Sequence, residues 1–108
     1  MLKKLNWQAY TSKDRNEITE KIKDLISHND GCIVNFTLFS DLALTLSVEI
    51  EEQHILTFHK ALSEVLSVDA LDDTIINPAS NREWIIFLNI SFSFGTGKMK
   101  RIVPAVPG

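Results

Sequence analysis

The chain has 108 residues, of which 44% are hydrophobic and 23% charged, and its formal net charge is −3. This composition predicts one folded domain with a single core, because disordered chains are less hydrophobic or more strongly charged. The acidic balance argues against nucleic-acid binding, since attraction to phosphate supplies most non-specific affinity. The sequence contains no run of about 18 apolar residues, so no membrane span is predicted. A single cysteine without a secretory leader pattern predicts a cytoplasmic protein.

The first two predicted elements are a strand and a helix. Alternating apolar residues predict a short strand at residues 4–10. The helix is expected to begin near Asp14, whose carboxylate can cap it, with Thr11 and Ser12 as alternative caps. It should end at residues 28–31, where Asn and Gly tolerate the left-handed backbone. Its buried stripe is predicted to be Ile18, Ile22, Leu25 and Ile26.

A hairpin of two strands is predicted next. Residues 32–39 form the first of these strands, and a turn at 40–41 would place Leu38 near Leu42. Residues 42–50 alternate without a break, which is typical of a strand buried on one side only. The inward-facing residues of the first strand are predicted to be Cys32, Val34, Phe36 and Leu38.

The second half of the chain repeats the helix-then-strand order. The acids at 51–52 are expected to open a second helix, because carboxylates favour the positive end of a helix. Residues 67–82 contain a short helical turn or a brief strand, followed by a loop. A long strand at 84–94 leads through a glycine turn at 95–97 to a last strand at 98–103. The stripe of the second helix is predicted to be Ile55, Phe58, Leu62, Val65 and Leu66.

This β-α-β-β-α-β order with one additional C-terminal strand predicts a single α+β domain over residues 1–108. The expected architecture is a ferredoxin-like plait, an antiparallel sheet with two helices on one face. The open face of the sheet is too polar for a second core and yet contains Ile and Phe. We therefore expect a homodimer that joins two sheets, although a covering C-terminal segment or ordinary exposed apolar residues are alternatives. The predicted interface residues are Ile33, Thr45, Ser47, Ile85, Phe87 and Asn89.

Residue patterns for a metal or cofactor site are weak, and none is predicted. His54 and His59 are five apart on the second helix, about 140° around its axis, and cannot share one metal as an i, i+4 pair can. Cys32 is interpreted as a buried core residue. The run 95–98 lacks the spacing of a phosphate-binding loop and is explained by a hairpin turn.

Two short motifs and the hairpin resemble the ACT domain, a small regulatory unit. Residues 14–22 are similar to the opening D-R-P-G-L-L-x-x-I of that family, and residues 30–33 to its Gly-x-x-Ile step from helix to strand. The turn and strand at 39–50 fit its central hairpin. The resemblance covers roughly residues 5–67. It implies a domain that binds a small ligand such as an amino acid, or oligomerises, without a cofactor.

The resemblance also implies where a ligand would lie. Thr11, Ser12 and Asp14 stand in the loop that matches the family's ligand loop, and Asn35 would face away from the helices. The Pro-Gly of the family motif is replaced by Asn and Glu at 16–17. An oligomerising domain is therefore favoured over an amino-acid sensor.

Two other functional hypotheses stay open at this point. One is a small enzyme with its site on the open sheet face, where Tyr10 and Glu49 are the available acid and base groups. The other is a protein-interaction module that uses the sheet face, or the last strand as an edge for strand addition. The favoured hypothesis is a non-catalytic regulatory or oligomerising domain.

Overall fold

The computed structural model describes residues 3–93, and within them it contains five strands and two α-helices. These are β1 Lys3–Thr11, α1 Arg15–His28, β2 Cys32–Ser40, β3 Ala43–Glu51, α2 Ile55–Ser63, β4 Ser67–Val68 and β5 Glu83–Phe92. Single 3-10 turns cover Glu52–His54 and Asp73–Ile75. The predicted α+β class is confirmed. The predicted turn at 95–97 and strand at 98–103 lie outside the described residues.

The strands form one mixed sheet in the order β2-β3-β5-β1-β4. On β5, Leu88 lies opposite Leu46 of the antiparallel strand β3 and opposite Trp7 of the parallel strand β1. The prediction of a wholly antiparallel sheet is therefore wrong. β5 lies between β3 and β1, which gives this strongly apolar strand a hydrogen-bonded neighbour on each side.

The core lies between the sheet and both helices. Trp7 of β1 packs against Phe58 of α2, with ring centroids 6.1 Å apart. The alternating apolar residues within β1, β3 and β5 and the predicted stripes of the helices face the core, because such periodicity survives wherever one face is covered. Leu42, at the start of the predicted third strand, instead lies in the turn and is exposed. Buried members of this core include Ile18, Ile22, Ile26, Leu44, Leu46, Val48, Ile50, Ile55, Leu62, Trp84, Ile86, Leu88 and Ile90.

Both ends of α1 have local explanations. Asp14 caps the helix, since its carboxylate accepts a hydrogen bond from the backbone N–H of Glu17 at 3.0 Å, so the alternative caps are not used. After the helix, Asp30 adopts a left-handed backbone with φ of 57°. A Cβ on Gly31 would lie 3.0 Å from Cγ2 of Ile26. Glycine is thus needed at this position for close packing.

An irregularity in β2 changes which of its residues face the core. Val34 is an extra residue relative to β3, so the strand changes face at this point. Ile33, predicted for the open face, lies opposite Val48 on the helix side. Cys32, predicted as a core residue, lies opposite Glu49 on the open face and is exposed. Both predictions are wrong because a period-two pattern cannot register an inserted residue.

A second irregularity lies at Phe39, just before the hairpin turn. Leu38 pairs with Leu44, and the turn occupies residues 41–42. The predicted turn at 40–41 and the proximity of Leu38 to Leu42 are therefore wrong. The extra residue lengthens β2 relative to β3 and moves the turn forward along the chain.

The second helix begins later than predicted. Glu51 ends β3 and Glu52 opens a 3-10 turn, so α2 starts at Ile55. The uncertain region 67–82 contains both predicted alternatives, the short strand β4 and a 3-10 turn at Asp73–Ile75.

Candidate association edge

The predicted ligand loop is placed between β1 and α1, and much of its hydrogen-bonding capacity is already used. Thr11 is buried, and its hydroxyl accepts from the backbone N–H of Lys13 at 3.1 Å. The carbonyl of Thr11 accepts from the N–H of Ser93. Asp14 places its carboxylate at the positive end of α1. This end of the helix is therefore already neutralised by a side chain of the protein.

Two of the predicted ligand residues line a shallow groove. Thr11 and Ser12 form one wall with Lys13, and the segment from Ser63 to Val68, after α2, forms the other wall. The groove has a volume of about 530 Å³. Since it opens widely to solvent, it would enclose little of a small ligand's surface.

Asn35 lies far from that groove. It is on β2, at the opposite side of the sheet from β1, and its side chain accepts from the backbone N–H of Phe36 at 2.9 Å. Three strand spacings of about 4.8 Å separate the two strands. The structure therefore brings Thr11 and Ser12 together and leaves Asn35 outside the group.

Five of the six predicted interface residues lie on the open face, and a row of polar side chains crosses it. The Thr45 hydroxyl donates to Oδ1 of Asn89 at 3.0 Å. Nδ2 of Asn89 in turn donates to Oδ1 of Asn6 at 2.7 Å. Phe87 lies between Ser47 and Asn6 in the neighbouring row. The centre of this face is thus internally hydrogen-bonded and carries isolated apolar groups.

The acid and base groups of the enzyme hypothesis do not converge. Tyr10 lies opposite Ser91 on β5, whereas Glu49 lies opposite Ile85. Six residues along a strand correspond to about 20 Å. A single substrate bond cannot be reached by both groups, so this pair cannot act together as acid and base.

Exposed apolar side chains are concentrated on β2. Of the seven large hydrophobic residues exposed within residues 3–93, five lie on β2 or in the turn after it. We call this strand with those five side chains the β2 edge. The side chains and their exposed fractions are Val34 52%, Phe36 43%, Leu38 48%, Phe39 68% and Leu42 39%.

The β2 edge is exposed because the helix layer ends before it. Phe36 and Leu38 do point to the helix side, as predicted, opposite Leu46 and Leu44. On the helix side, the ammonium of Lys23 on α1 lies 6.0 Å from the ring centroid of Phe36. Phe36 nevertheless keeps 43% of its surface in contact with water.

Charged groups surround the β2 edge without entering it. Arg15 of α1 pairs with Asp41 of the turn at 3.0 Å, and Lys23 pairs with Glu20 one helical turn away at 3.6 Å. The nine residues of Cys32–Ser40 contain no charge and no proline. Their backbone has no strand on its outer side within the described part of the chain.

The opposite edge of the sheet is covered at residues 8–10, and its other end carries the charges of Lys3 and Lys4. β4 is only two residues long, and beyond it Asp69 covers the adjoining backbone of β1. The carboxylate of Asp69 accepts from the N–H of Gln8 at 2.9 Å, and its own N–H donates to the carbonyl of Gln8 at 3.0 Å. Short strands and charged groups are the usual means of blocking a sheet edge. The β2 edge has neither.

A buried carboxylate fixes the loop before β5. Glu52 is 6% exposed and accepts from the N–H of Asn77 at 2.7 Å. This hydrogen bond lowers the pKa of Glu52, as do Ser80, Trp84 and Arg82, against the opposing effect of burial. Nε1 of Trp84 is buried, and no acceptor within residues 3–93 meets it in hydrogen-bond geometry. Glu52 therefore has a structural role.

The histidines have separate partners. His54 lies 3.5 Å from the carboxylate of Asp30, and Nε2 of His59 contacts the carbonyl of Asp69 at 2.7 Å. His28 contacts the carbonyl of Asp24 within its own helix. Residues 3–93 contain no group of three His, Cys, Asp or Glu side chains able to hold a metal ion. No helix in this range has the length and apolarity required to cross a bilayer.

The importance of β2 as an edge was missed at the sequence level because its residues were assigned to the core. A signal was present. Apolar residues occupy both phases of the strand, with Ile33 and Phe39 out of step with Phe36 and Leu38. Such a pattern is typical of a strand with a bulge or with two apolar faces.

Comparisons with protein-family models, with curated proteins and with solved structures found no match.

Proposed function

We propose that this chain is a non-catalytic association domain that acts by adding a strand of a partner to its β2 edge. The observation that carries the proposal is the contrast between the two sides of the sheet. One side ends in a two-residue strand beside Asp69, whereas the other presents nine uncharged residues whose backbone has no outer neighbour within residues 3–93. Strand addition satisfies such backbone groups and covers the adjacent side chains.

The energetics favour a partner that supplies backbone hydrogen bonds as well as apolar contact. Fully burying a Leu or Phe side chain stabilises by roughly 1.5–3 kcal/mol. Phe36, Leu38 and Phe39 are about half exposed, so completing their burial contributes roughly 1 kcal/mol each. Association costs at least about 4 kcal/mol in lost freedom. The five side chains of the β2 edge together contribute roughly 5 kcal/mol, which only just offsets this cost, and the hydrogen bonds of a paired strand supply further stabilisation.

The ACT-like function predicted from the sequence fits this proposal in its oligomerising form. The β-α-β-β-α-β order is retained, with β4 inserted before the last described strand. A ferredoxin-like plait remains a proposal, since β5 separates β1 from β3 in this sheet. The departure at residues 16–17 from the family's ligand motif also favours association over sensing.

Small-ligand binding is the second candidate, supported by the groove that Thr11 and Ser12 share with the end of α2. A panel of the twenty amino acids in a thermal-shift assay tests it. A rise in melting temperature with one of them, lost in Ser12→Trp, would support a sensor. An unchanged midpoint across the panel would remove this candidate.

The association function is tested by the native size of the chain in extracts of its own cells. The tagged wild-type chain should elute as a species larger than its monomer mass of 12.2 kDa. Leu38→Lys should elute as a monomer, because a charge on an edge strand opposes pairing.

The matched control is Ile75→Lys, because Ile75 is exposed to the same 48% as Leu38 and lies outside β2. The control should elute with the wild type. If Leu38→Lys and the wild type elute at the same position, the β2 edge is not used for association.

A further inference from the structure

We infer that the partner strand is β2 of a second copy, so that two chains form one continuous sheet across a two-fold axis. This inference rests on the proposed function and specifies its partner. A strand next to the β2 edge must be long, uncharged and apolar on the helix side. β2 itself has these properties, with nine residues, no charge, and Phe36 and Leu38 on that side.

Symmetry restricts how two copies can pair. An antiparallel pair of identical strands is isologous, so each contact occurs twice. Opposed residues in an antiparallel pair share a face. The central registers therefore place Phe36 opposite either Phe36 or Leu38 of the other copy. Both registers cover an exposed apolar side chain with another one.

The charges beside the β2 edge are complementary under this symmetry. Lys23 lies over Phe36, and Glu20 lies one helical turn toward the start of α1. The Arg15–Asp41 pair shows that the start of α1 lies toward the end of β2, so Glu20 lies on the Leu38 side of Lys23. Pairing Phe36 with Phe36 would place Lys23 against Lys23, so the inferred register pairs Phe36 with Leu38. Its axis passes beside Thr37 and reverses the order of the two charges in the second copy. Lys23 of each chain then faces Glu20 of the other. Both side chains are substantially exposed, at 46% and 74%, and are free to make this contact.

The area available indicates a weak dimer. Nine paired residues extend about 30 Å, and a sheet with its side chains is about 10 Å thick, which gives roughly 300 Å² for each copy. A standard stable interface buries about 800 Å² on each partner. The flank of α1 around Lys23 adds contact, and the total stays below that standard area. We expect dissociation constants in the micromolar range.

The experiment is sedimentation equilibrium of the purified chain from about 1 to 200 μM, a range that spans a micromolar dissociation constant. The wild type should change from monomer to dimer across this range. Leu38→Lys should weaken the dimer by at least about tenfold, since the new charge lies against Lys23 of the second copy. Ile75→Lys should match the wild type.

A second variant of the β2 edge distinguishes a loss of dimerisation from a loss of folding. Phe36→Thr removes apolar surface, adds no charge and keeps a good strand-forming residue. It should also weaken the dimer, while its melting temperature in dilute solution stays close to that of Ile75→Lys.

Two results would overturn the inference. One is a wild type that stays monomeric throughout the range, and the other is a dimer that both edge variants leave intact. The purified chain could be monomeric while the chain in cell extract elutes as a larger species that Leu38→Lys abolishes. That result would exclude a second copy as the partner and would retain the proposed association function. A chain that is monomeric in both experiments would remove both.

Discussion

The carboxylate of Glu52 accepts a hydrogen bond from the backbone N–H of Asn77 at 2.7 Å, although the two residues are 25 positions apart. The backbone of the same region is joined by hydrogen bonds from Glu52 to Arg82 and from Gln53 to Ser80, each 2.8 Å long. These contacts hold the loop before β5 against the end of β3. The side chain of Glu52 is the only carboxylate among the buried residues in the described range.

Removal of this carboxylate should destabilise the fold. Glu52→Ala leaves the N–H of Asn77 without its partner in a partly buried site, and the expected loss is about 1–3 kcal/mol. Glu52→Gln keeps an acceptor oxygen and should lose less. Urea unfolding at neutral pH measures both losses. Glu83→Gln, at an exposed acid of the same strand end, should change stability little, and an equal loss in that variant would contradict this role for Glu52.

Stability should also depend on pH through Glu52. Its pKa in the folded chain lies below the ordinary value of 4.5. The folded state therefore binds this proton less readily than the unfolded state, and the stabilisation is complete above that value. It is lost as the pH falls through the folded pKa. The stability difference between the wild type and Glu52→Gln should be largest near neutrality and shrink below about pH 4.5. A stability difference that grows as the pH falls would contradict a lowered pKa of Glu52 in the folded chain.

Gly31→Ala should be destabilising for a steric reason. The added Cβ would lie 3.0 Å from Cγ2 of Ile26 and 3.2 Å from its carbonyl oxygen. Overpacking of this kind costs typically about 1–3 kcal/mol. Leucine lacks the γ2 methyl of isoleucine, so the double variant Gly31→Ala with Ile26→Leu removes the crowding carbon and should recover part of the loss relative to Ile26→Leu alone. If the losses in unfolding free energy of the two single variants simply add in the double variant, the contact between residues 26 and 31 is not the cause of the destabilisation.

The parts of the fold that could be predicted are those set by local chemistry or by one covered face. The cap at Asp14, the helical stripe through Ile18 and Ile22, and the alternation along β3 each depend on neighbouring residues and on a single buried side. These patterns keep their phase because a slip of one residue would move the whole set to water.

The predictions that were wrong concern features that depend on pairing between distant segments of the chain. The residues adjacent to Val34 and Phe39 do not indicate an inserted residue, because the insertion is defined only relative to β3. The position of β5 between β3 and β1 is likewise decided by long-range packing. Cys32 and Ile33 were assigned to the wrong faces as a direct consequence.

The candidate site was recoverable only in part for the same reason. Thr11 and Ser12 were placed together correctly because they are adjacent in sequence. Asn35 was grouped with them by resemblance, and the strand order separates it. The β2 edge required knowing which strand has no outer neighbour, which the sequence of one strand cannot specify.

The polar row on the open face should act as a coupled pair. Asn6→Ala and Asn89→Ala each remove the 2.7 Å hydrogen bond between these side chains. The double variant cannot lose it twice, so a double-mutant cycle should give a coupling of about 0.5–1.5 kcal/mol. Glu49→Ala, on the same face but opposite Ile85 and outside this row, should be additive with Asn89→Ala. A coupling near zero for the asparagine pair would show that the row contributes no stability.

The charges beside the β2 edge provide a prediction specific to the two-fold arrangement. Lys23→Glu should weaken the dimer, because it places two acids opposite each other across the axis, and Glu20→Lys should do the same with two bases. The double variant restores opposite charges between the copies. It should therefore dimerise within about threefold of the wild type, whereas each single variant loses about tenfold.

The control for this charge exchange is Lys21→Glu, an exposed lysine on the same helix whose side chain lies on the flank away from β2. It should leave the dimer unchanged at the same ionic strength, because the interaction is local. Sedimentation at low and high salt adds a check, since the differences among the variants should diminish as screening increases. If the double variant is as weak as the single ones, Lys23 and Glu20 do not face each other across an axis at the β2 edge.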